Sequence, residues 1–284
     1  MLGLLPFVFF LIFSVARAEI GFFPINDRLP PSAARVEDVT AAIMDNNSRG
    51  RAIGTTFLVK VENGKKSKRG YFLTNAHVLE SCHNNSNCNL SLEHRYFIFP
   101  NPPTIWPLSD DGTHWTAQFN KFVLYDKVLD LAVFTADLPS NAETTPVNFR
   151  ILSIPTNVKI TTIANPSFFG ASMSHLKGAV MRQEVWSQGN ILSITHGLAQ
   201  RKPFTVQAFL VHDADTLPGS SGGPLIDENG FVVGVNTLRV LPCKDMLGGK
   251  CIEWDNDEKD SHWLGQAIPA DKILSFLGLL AIVR

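Results

Sequence analysis

Charge is scarce in this sequence: 18% of its 284 residues are Asp, Glu, Lys or Arg, against about a quarter in an average soluble domain, and the formal net charge is −1. A disordered chain combines low hydrophobicity with high net charge, and 45% apolar content with near-neutrality excludes that class. No block of Lys or Arg is long enough to track phosphates, which argues against nucleic acid as the main partner. Long hydrophobic runs are missing too. The apolar stretches at residues 4–15 and 273–283 are both shorter than the roughly 20 residues a membrane-crossing helix needs. Internal repeats and low-complexity segments are absent, and strand-like segments do not alternate regularly with helical ones, so a parallel βαβ sheet is disfavoured.

What is present begins with an export signal. Residues 4–15 form an almost wholly apolar region, and Ala16-Arg17-Ala18 places small residues where a signal peptidase reads them. Residues 1–18 are therefore read as a signal peptide, with Glu19 opening a mature chain that is secreted or periplasmic. Cysteine usage agrees with export. There are four cysteines in two local pairs, Cys82 with Cys88 and Cys243 with Cys251, and each pair is read as a disulfide closing a short loop. Neither pair has C-x-x-C spacing, and His83 is the nearest imidazole, so zinc is the weaker reading. Asn46, Asn84 and Asn89 each open an Asn-x-Ser sequon.

Most of the remaining chain reads as short strands between turns. Residues 55–61, a turn at 62–66 and a second β-rich run at 70–74 make a hairpin. The pattern recurs at 224–226, 227–230 and 231–235. Helices are expected over residues 33–44 and 271–282, the second with Ile273, Phe276, Leu277 and Leu280 on one face. The proline-rich stretch 139–146 is the expected boundary between two β-rich halves.

Three segments carry chemistry: a histidine ending a hydrophobic strand (Leu73-Thr74-Asn75-Ala76-His77-Val78), an aspartate opening another (Asp130-Leu131-Ala132-Val133-Phe134), and Pro218-Gly219-Ser220-Ser221-Gly222-Gly223-Pro224. Each alone is ordinary. Together they offer a hydroxyl nucleophile, a base and a carboxylate to orient it. Acyl transfer also needs backbone N–H groups aimed at the developing oxyanion, and Gly219 permits the turn that points its own amide and that of Ser221 at one spot. In this scheme Ser221 attacks, His77 takes its proton and returns it to the leaving amine, and Asp130 holds the imidazole. The same loop satisfies G-x-S-x-G, the turn of α/β-hydrolases, with His262 and Asp255, Asp257 or Asp260 as partners. That fold requires a helix after the serine, whereas Pro224 and a hairpin follow here.

On residues 70–78 (GYFLTNAHV), 130–133 (DLAV), 213–224 (DADTLPGSSGGP), 234–237 (GVNT) and 266–269 (QAIP), the chain resembles the trypsin/chymotrypsin superfamily of serine proteases. The nearest branches are the bacterial HtrA/Deg-like and glutamyl-endopeptidase-like ones. The resemblance implies an all-β fold of two antiparallel six-stranded β-barrels with a C-terminal α-helix and an active site between the barrels. It also implies protein or peptide substrates and no cofactor. The expected layout is a signal peptide (1–18), an N-terminal arm or propeptide (19–50), a first barrel carrying His77 and Asp130 (51–145), and a second carrying Ser221 plus the helix (146–284).

Departures from the family pattern bear on activation and specificity. Ser220 stands where trypsin-like zymogens carry the Asp that pairs with a new N-terminus, and the short stretch after Pro269 leaves no room for a PDZ domain. The glutamyl endopeptidases' pocket His is replaced by Asn236, although their pocket Thr is matched by Thr216. Asp215 falls where trypsin-like enzymes select Lys or Arg. The specificity pocket is thus assigned to Asp215, Thr216 and Asn236, with a basic and a small or aliphatic preference both open. The acidic cluster at 255–260 reads as a solvated loop, and the histidines other than His77 show no metal-like pairing. The alternative from another class is a secreted binding or toxin-like protein that keeps the protease fold with little general proteolysis.

Overall fold

Strands buried on both faces set the architecture. Leu58, Phe72, Ala132 and Phe134 pack into one apolar cluster, while their chain neighbours Phe57, Val59, Leu73, Leu131 and Val133 pack into another. Successive side chains of a strand point to opposite faces, so such a strand reads as a continuous apolar run rather than an alternating one. The structure, a computed structural model, describes residues 23–24, 29–46, 51–64, 67–83, 88–100, 103–107, 114–153, 156–165, 182–183, 185–198, 206–216, 218–240, 245–247, 250–252 and 263–278.

The first barrel is built from β1 (Thr40–Asp45), β2 (Arg51–Asn63), β3 (Lys68–Thr74), β4 (Leu90–His94), β5 (Trp115–Asp126) and β6 (Leu131–Leu138), closed in the order β1-β2-β3-β6-β5-β4. The second uses β7 (Val158–Ala164), β8 (Val185–Leu198), β9 (Val206–His212), β10 (Pro224–Asp227), β11 (Val232–Val240) and β12 (Leu264–Pro269). Its ring is β7-β8-β9-β12-β11-β10, the same order again, with Phe23–Pro24 added outside β8. All neighbours in both rings are antiparallel. This is the chymotrypsin-like pair of six-stranded barrels that the resemblance implied. Closure leaves neither barrel with an unpaired edge.

One face of each barrel meets the other. Phe57, Leu73 and Val133 from the first share a cluster with Ile163, Phe209, Ile226, Val235 and Ile268 from the second. Two helices seal its margins. Helix α1 (Pro31–Glu37) contributes Ala33 and Val36, and the C-terminal helix α3 (Ala270–Gly278) contributes Ile273, Phe276 and Leu277 on the expected face. Leu280 lies outside the described residues. The fully buried Glu37 carboxylate anchors α1 to the first barrel, accepting from Arg95 Nε at 2.7 Å and from the same guanidinium's second nitrogen.

Two expectations are corrected. The helix expected over 33–44 stops at Glu37, and Thr40–Asp45 is strand β1, paired with β2 and β4. Residues 40–44 are all buried, and a segment buried on every side has no amphipathic period to separate helix from strand. For the same reason the first barrel begins at Thr40 rather than 51: without β1, the edges of β2 and β4 would be open. The connection between Leu138 and Val158, expected as the boundary, contains no regular strand or helix among its described residues. Cys82 and Cys88 form the expected disulfide, their Cα atoms 4.9 Å apart, at the end of the short helix α2 (Glu80–His83). The Cys243–Cys251 pairing lies outside the described residues because Cys243 does, as do the signal peptide and the acidic cluster. No described helix is long and apolar enough to cross a membrane.

Candidate active site

Strand register brings His77 to Asp130. β3 runs antiparallel to β6 with Thr74 opposite Ala132, so the residues just beyond the end of β3 meet those just before the start of β6. His77 opens a 3-10 turn there. Its backbone N–H donates to Asp130 Oδ1 at 3.0 Å, and its ring Nδ1 lies 2.8 Å from Oδ2 and 3.1 Å from Oδ1. Asp130 is held in the left-handed region at φ 56, a conformation that aspartate tolerates better than most residues. Its carbonyl oxygen accepts from Asn75 Nδ2 at 3.0 Å. The preceding turn is shaped by Asp126, whose Oδ1 accepts from the N–H groups of Val128 and Leu129.

Ser221 arrives from the other barrel by an equally local route. Pro224 of β10 pairs with Val235 of β11, and the ladder continues outward: Asn236 N–H donates to Gly223 O and Gly222 N–H to Asn236 O, both at 2.9 Å. That register sets Ser221 beside Thr237, whose carbonyl oxygen accepts the Ser221 hydroxyl at 3.1 Å. The Thr237 hydroxyl in turn donates to Asp130 Oδ2 at 2.5 Å. Thr237 therefore touches the histidine's partner carboxylate through its side chain and the serine through its backbone. The Gly-Val-Asn-Thr motif by itself carries no mark of this role for Thr237, nor does the sequence around Asn75 mark its bond to Asp130. The glycines of the loop have distinct reasons: Gly219 sits at φ 99, and a Cβ on Gly222 would come within 2.1 Å of both Thr55 O and Thr74 Oγ1.

His77, Ser220, Ser221, Thr216, Asn236, Thr237, Leu238 and Arg239 line one cavity of about 220 Å³. Two of the three specificity residues, Thr216 and Asn236, are on its wall. Asp215 is not: its N–H donates to Ser187 Oγ, and burial raises its carboxyl above the ordinary value while the Arg239 charge pulls it back down. Arg239, unforeseen from the sequence, lies with its guanidinium 4.8 Å from the Trp263 ring centre.

Behind the cavity, His212 is fully buried and its Nε2 lies 2.9 Å from Asn236 Oδ1, while Asn236 Nδ2 donates to Thr162 Oγ1 at 2.5 Å. Burial pushes His212 down to about 4, against the opposing pull of its Asn236 bond and of Asp213. A histidine depressed on folding is protonated first in the unfolded chain. Its contribution to stability is complete above the ordinary value of 6.5, is lost progressively as pH falls towards about 4, and levels off below. The His212 ring resonances should therefore stay constant from neutrality down to about pH 5, read by NMR; titration near 6.5 would contradict a neutral, buried imidazole. Among the described residues no cluster of His, Cys, Asp and Glu could hold a metal ion.

Two closed antiparallel six-stranded barrels, with a histidine, a carboxylate and a serine gathered at their junction, define the chymotrypsin-like fold. The chain belongs to the trypsin-like peptidase domain family, which it matches over residues 54–235. It is 26% identical over 221 residues to the serine protease Do-like HtrA of Bacillus subtilis, covering 78% of this chain and 37% of that protein. To the chloroplastic Protease Do-like 1 of Arabidopsis thaliana it is 28% identical over 185 residues, covering 62% and 32%. The chain thus spans about a third of the length of these curated relatives. Its fold matches the active form of the Rv3671c protease from M. tuberculosis with a TM-score of 0.54 at 17% identity, covering 90% of this chain and 86% of that one. The MamO protease domain from Magnetospirillum magneticum matches with a TM-score of 0.54 at 14% identity, covering 85% and 96%.

Proposed function

We propose that this chain is a secreted or periplasmic serine endopeptidase that hydrolyses peptide bonds through an acyl-enzyme. The observation that carries the reading is the convergence of His77 and Ser221 on one cavity, with Asp130 fixed behind the imidazole. In the proposed cycle the Ser221 hydroxyl turns from the Thr237 carbonyl towards His77 and adds to the substrate carbonyl carbon, and its proton passes to the imidazole. The Gly219 and Ser221 amides stabilise the tetrahedral oxyanion. The imidazolium protonates the amine as the C–N bond breaks, and water, deprotonated by His77, releases the acid product. Export is supported by the apolar segment at 4–15 with its Ala-Arg-Ala terminus and by the Cys82–Cys88 disulfide.

The test is incubation with a denatured protein substrate and, separately, with a fluorophosphonate probe whose adduct is mapped by peptide mass spectrometry. Cleavage together with an adduct on Ser221 supports the reading. Neither turnover nor adduct overturns it in favour of the binding-protein alternative.

A further inference from the structure

Thr55 lies in the first barrel, on β2, yet its hydroxyl and its N–H both donate to the serine loop of the second. It is fully buried. Its hydroxyl donates to Gly219 O at 2.8 Å and accepts from Asn165 N–H at 2.9 Å; its own N–H donates to Ser221 O at 2.8 Å; and its carbonyl accepts from Thr74 Oγ1 at 2.7 Å. The Gly222 site, where a Cβ would strike both Thr55 O and Thr74 Oγ1, shows how closely the loop is pressed onto this residue.

The arrangement matters because of which carbonyl is held. The amides assigned to the oxyanion site belong to Gly219 and Ser221, and the Gly219–Ser220 peptide lies between them. A change in Gly219 ψ or Ser220 φ that the other does not offset redirects one amide relative to the other. Gly219, at φ 99, is a glycine in a region where the backbone resists rotation least, so the direction of its carbonyl must be set by a partner. Thr55 supplies that partner on one side of Ser220 and, through its N–H, fixes the carbonyl of Ser221 on the other.

We propose that Thr55 is a positioning residue that locks the serine loop in the orientation needed for oxyanion stabilisation, so that the first barrel sets the geometry of a site carried by the second. The proposal rests on the protease reading for its catalytic consequence but not for its structural one. Thr55→Val keeps the shape and removes the hydroxyl, while Thr55→Ser retains it. With kinetics normalised to titrated active sites, Thr55→Val should lose about 100-fold in kcat with KM changed less than about threefold, the signature of a contact needed chiefly in the transition state. Thr55→Ser should recover to within about threefold of wild type. Hydrogen exchange over residues 218–224 should quicken in Thr55→Val and not in Thr55→Ser. Full kcat per active site in Thr55→Val, or exchange in that segment equal to wild type, overturns the proposal. Should wild type itself fail to label or cleave, the protease reading falls and the exchange comparison alone decides whether Thr55 holds the loop. Failure of Thr55→Val to fold leaves Thr55→Ser and Thr55→Cys for the same comparison, and Thr55→Cys at wild-type kcat and exchange counts against the hydroxyl.

Discussion

Ser221→Ala is expected to lower peptide hydrolysis by about 10⁶-fold and to abolish fluorophosphonate labelling, with the fold intact. The size of the effect follows from what the hydroxyl would do: without it no acyl-enzyme forms, and what remains is oriented water and any surviving oxyanion stabilisation. The structural cost is small. Among the described residues the Ser221 hydroxyl donates to the Thr237 carbonyl at 3.1 Å, at a partly exposed position, and the loss of this bond costs on the order of 1 kcal/mol of stability. Activity and probe labelling, measured beside a thermal melt, separate the two. An alanine variant that still labels at the same rate would place the nucleophile elsewhere.

Asp130→Asn should cost about 10⁴-fold in kcat while preserving shape. The Asp130 carboxylate receives three donors: the His77 N–H, the His77 Nδ1–H and the Thr237 hydroxyl. An amide in its place must point an NH₂ at one of them or leave an oxygen for only part of the set. The imidazole then reverses its tautomer, Nδ1 becomes the acceptor, and Nε2 carries the proton that it should instead remove from Ser221. Steady-state kinetics and a melting curve decide it: a rate within tenfold of wild type would mean that Asp130 does not set the tautomer. Because Thr237 shares the carboxylate, its hydroxyl must find a new acceptor in the variant, which adds a modest stability loss.

Much of this site was legible before the fold. His77, Asp130 and Ser221 stand in segments whose local pattern, a residue at the end of an apolar strand or in a glycine-rich turn, is the signal itself. Antiparallel register does the rest. The hairpins at 55–74 and 224–235 were readable from turn chemistry for the same reason. What escaped was whatever depends on contact between distant segments. β1 resembled a helix because burial on all sides erases the alternation that marks a strand. Thr55, Asn75 and Thr237 act through partners 55 to 164 residues away, and a threonine in a β-rich run carries no mark of what its hydroxyl will meet. Asp215, reached by counting back from the serine, is not among the residues lining the cavity that His77 and Ser221 share.

The two barrels share a strand order although no sequence repeat links them, and the groups assigned to proton transfer and to attack lie on opposite sides of their junction. Thr55 crosses that junction to grip the serine loop. A displacement of about 1 Å along this seam would cost rate as heavily as the loss of a side chain, since reacting groups tolerate little misplacement. On the protease reading the seam acts as a strain gauge: whatever pried at it would be read out as turnover without touching the residues that carry it out.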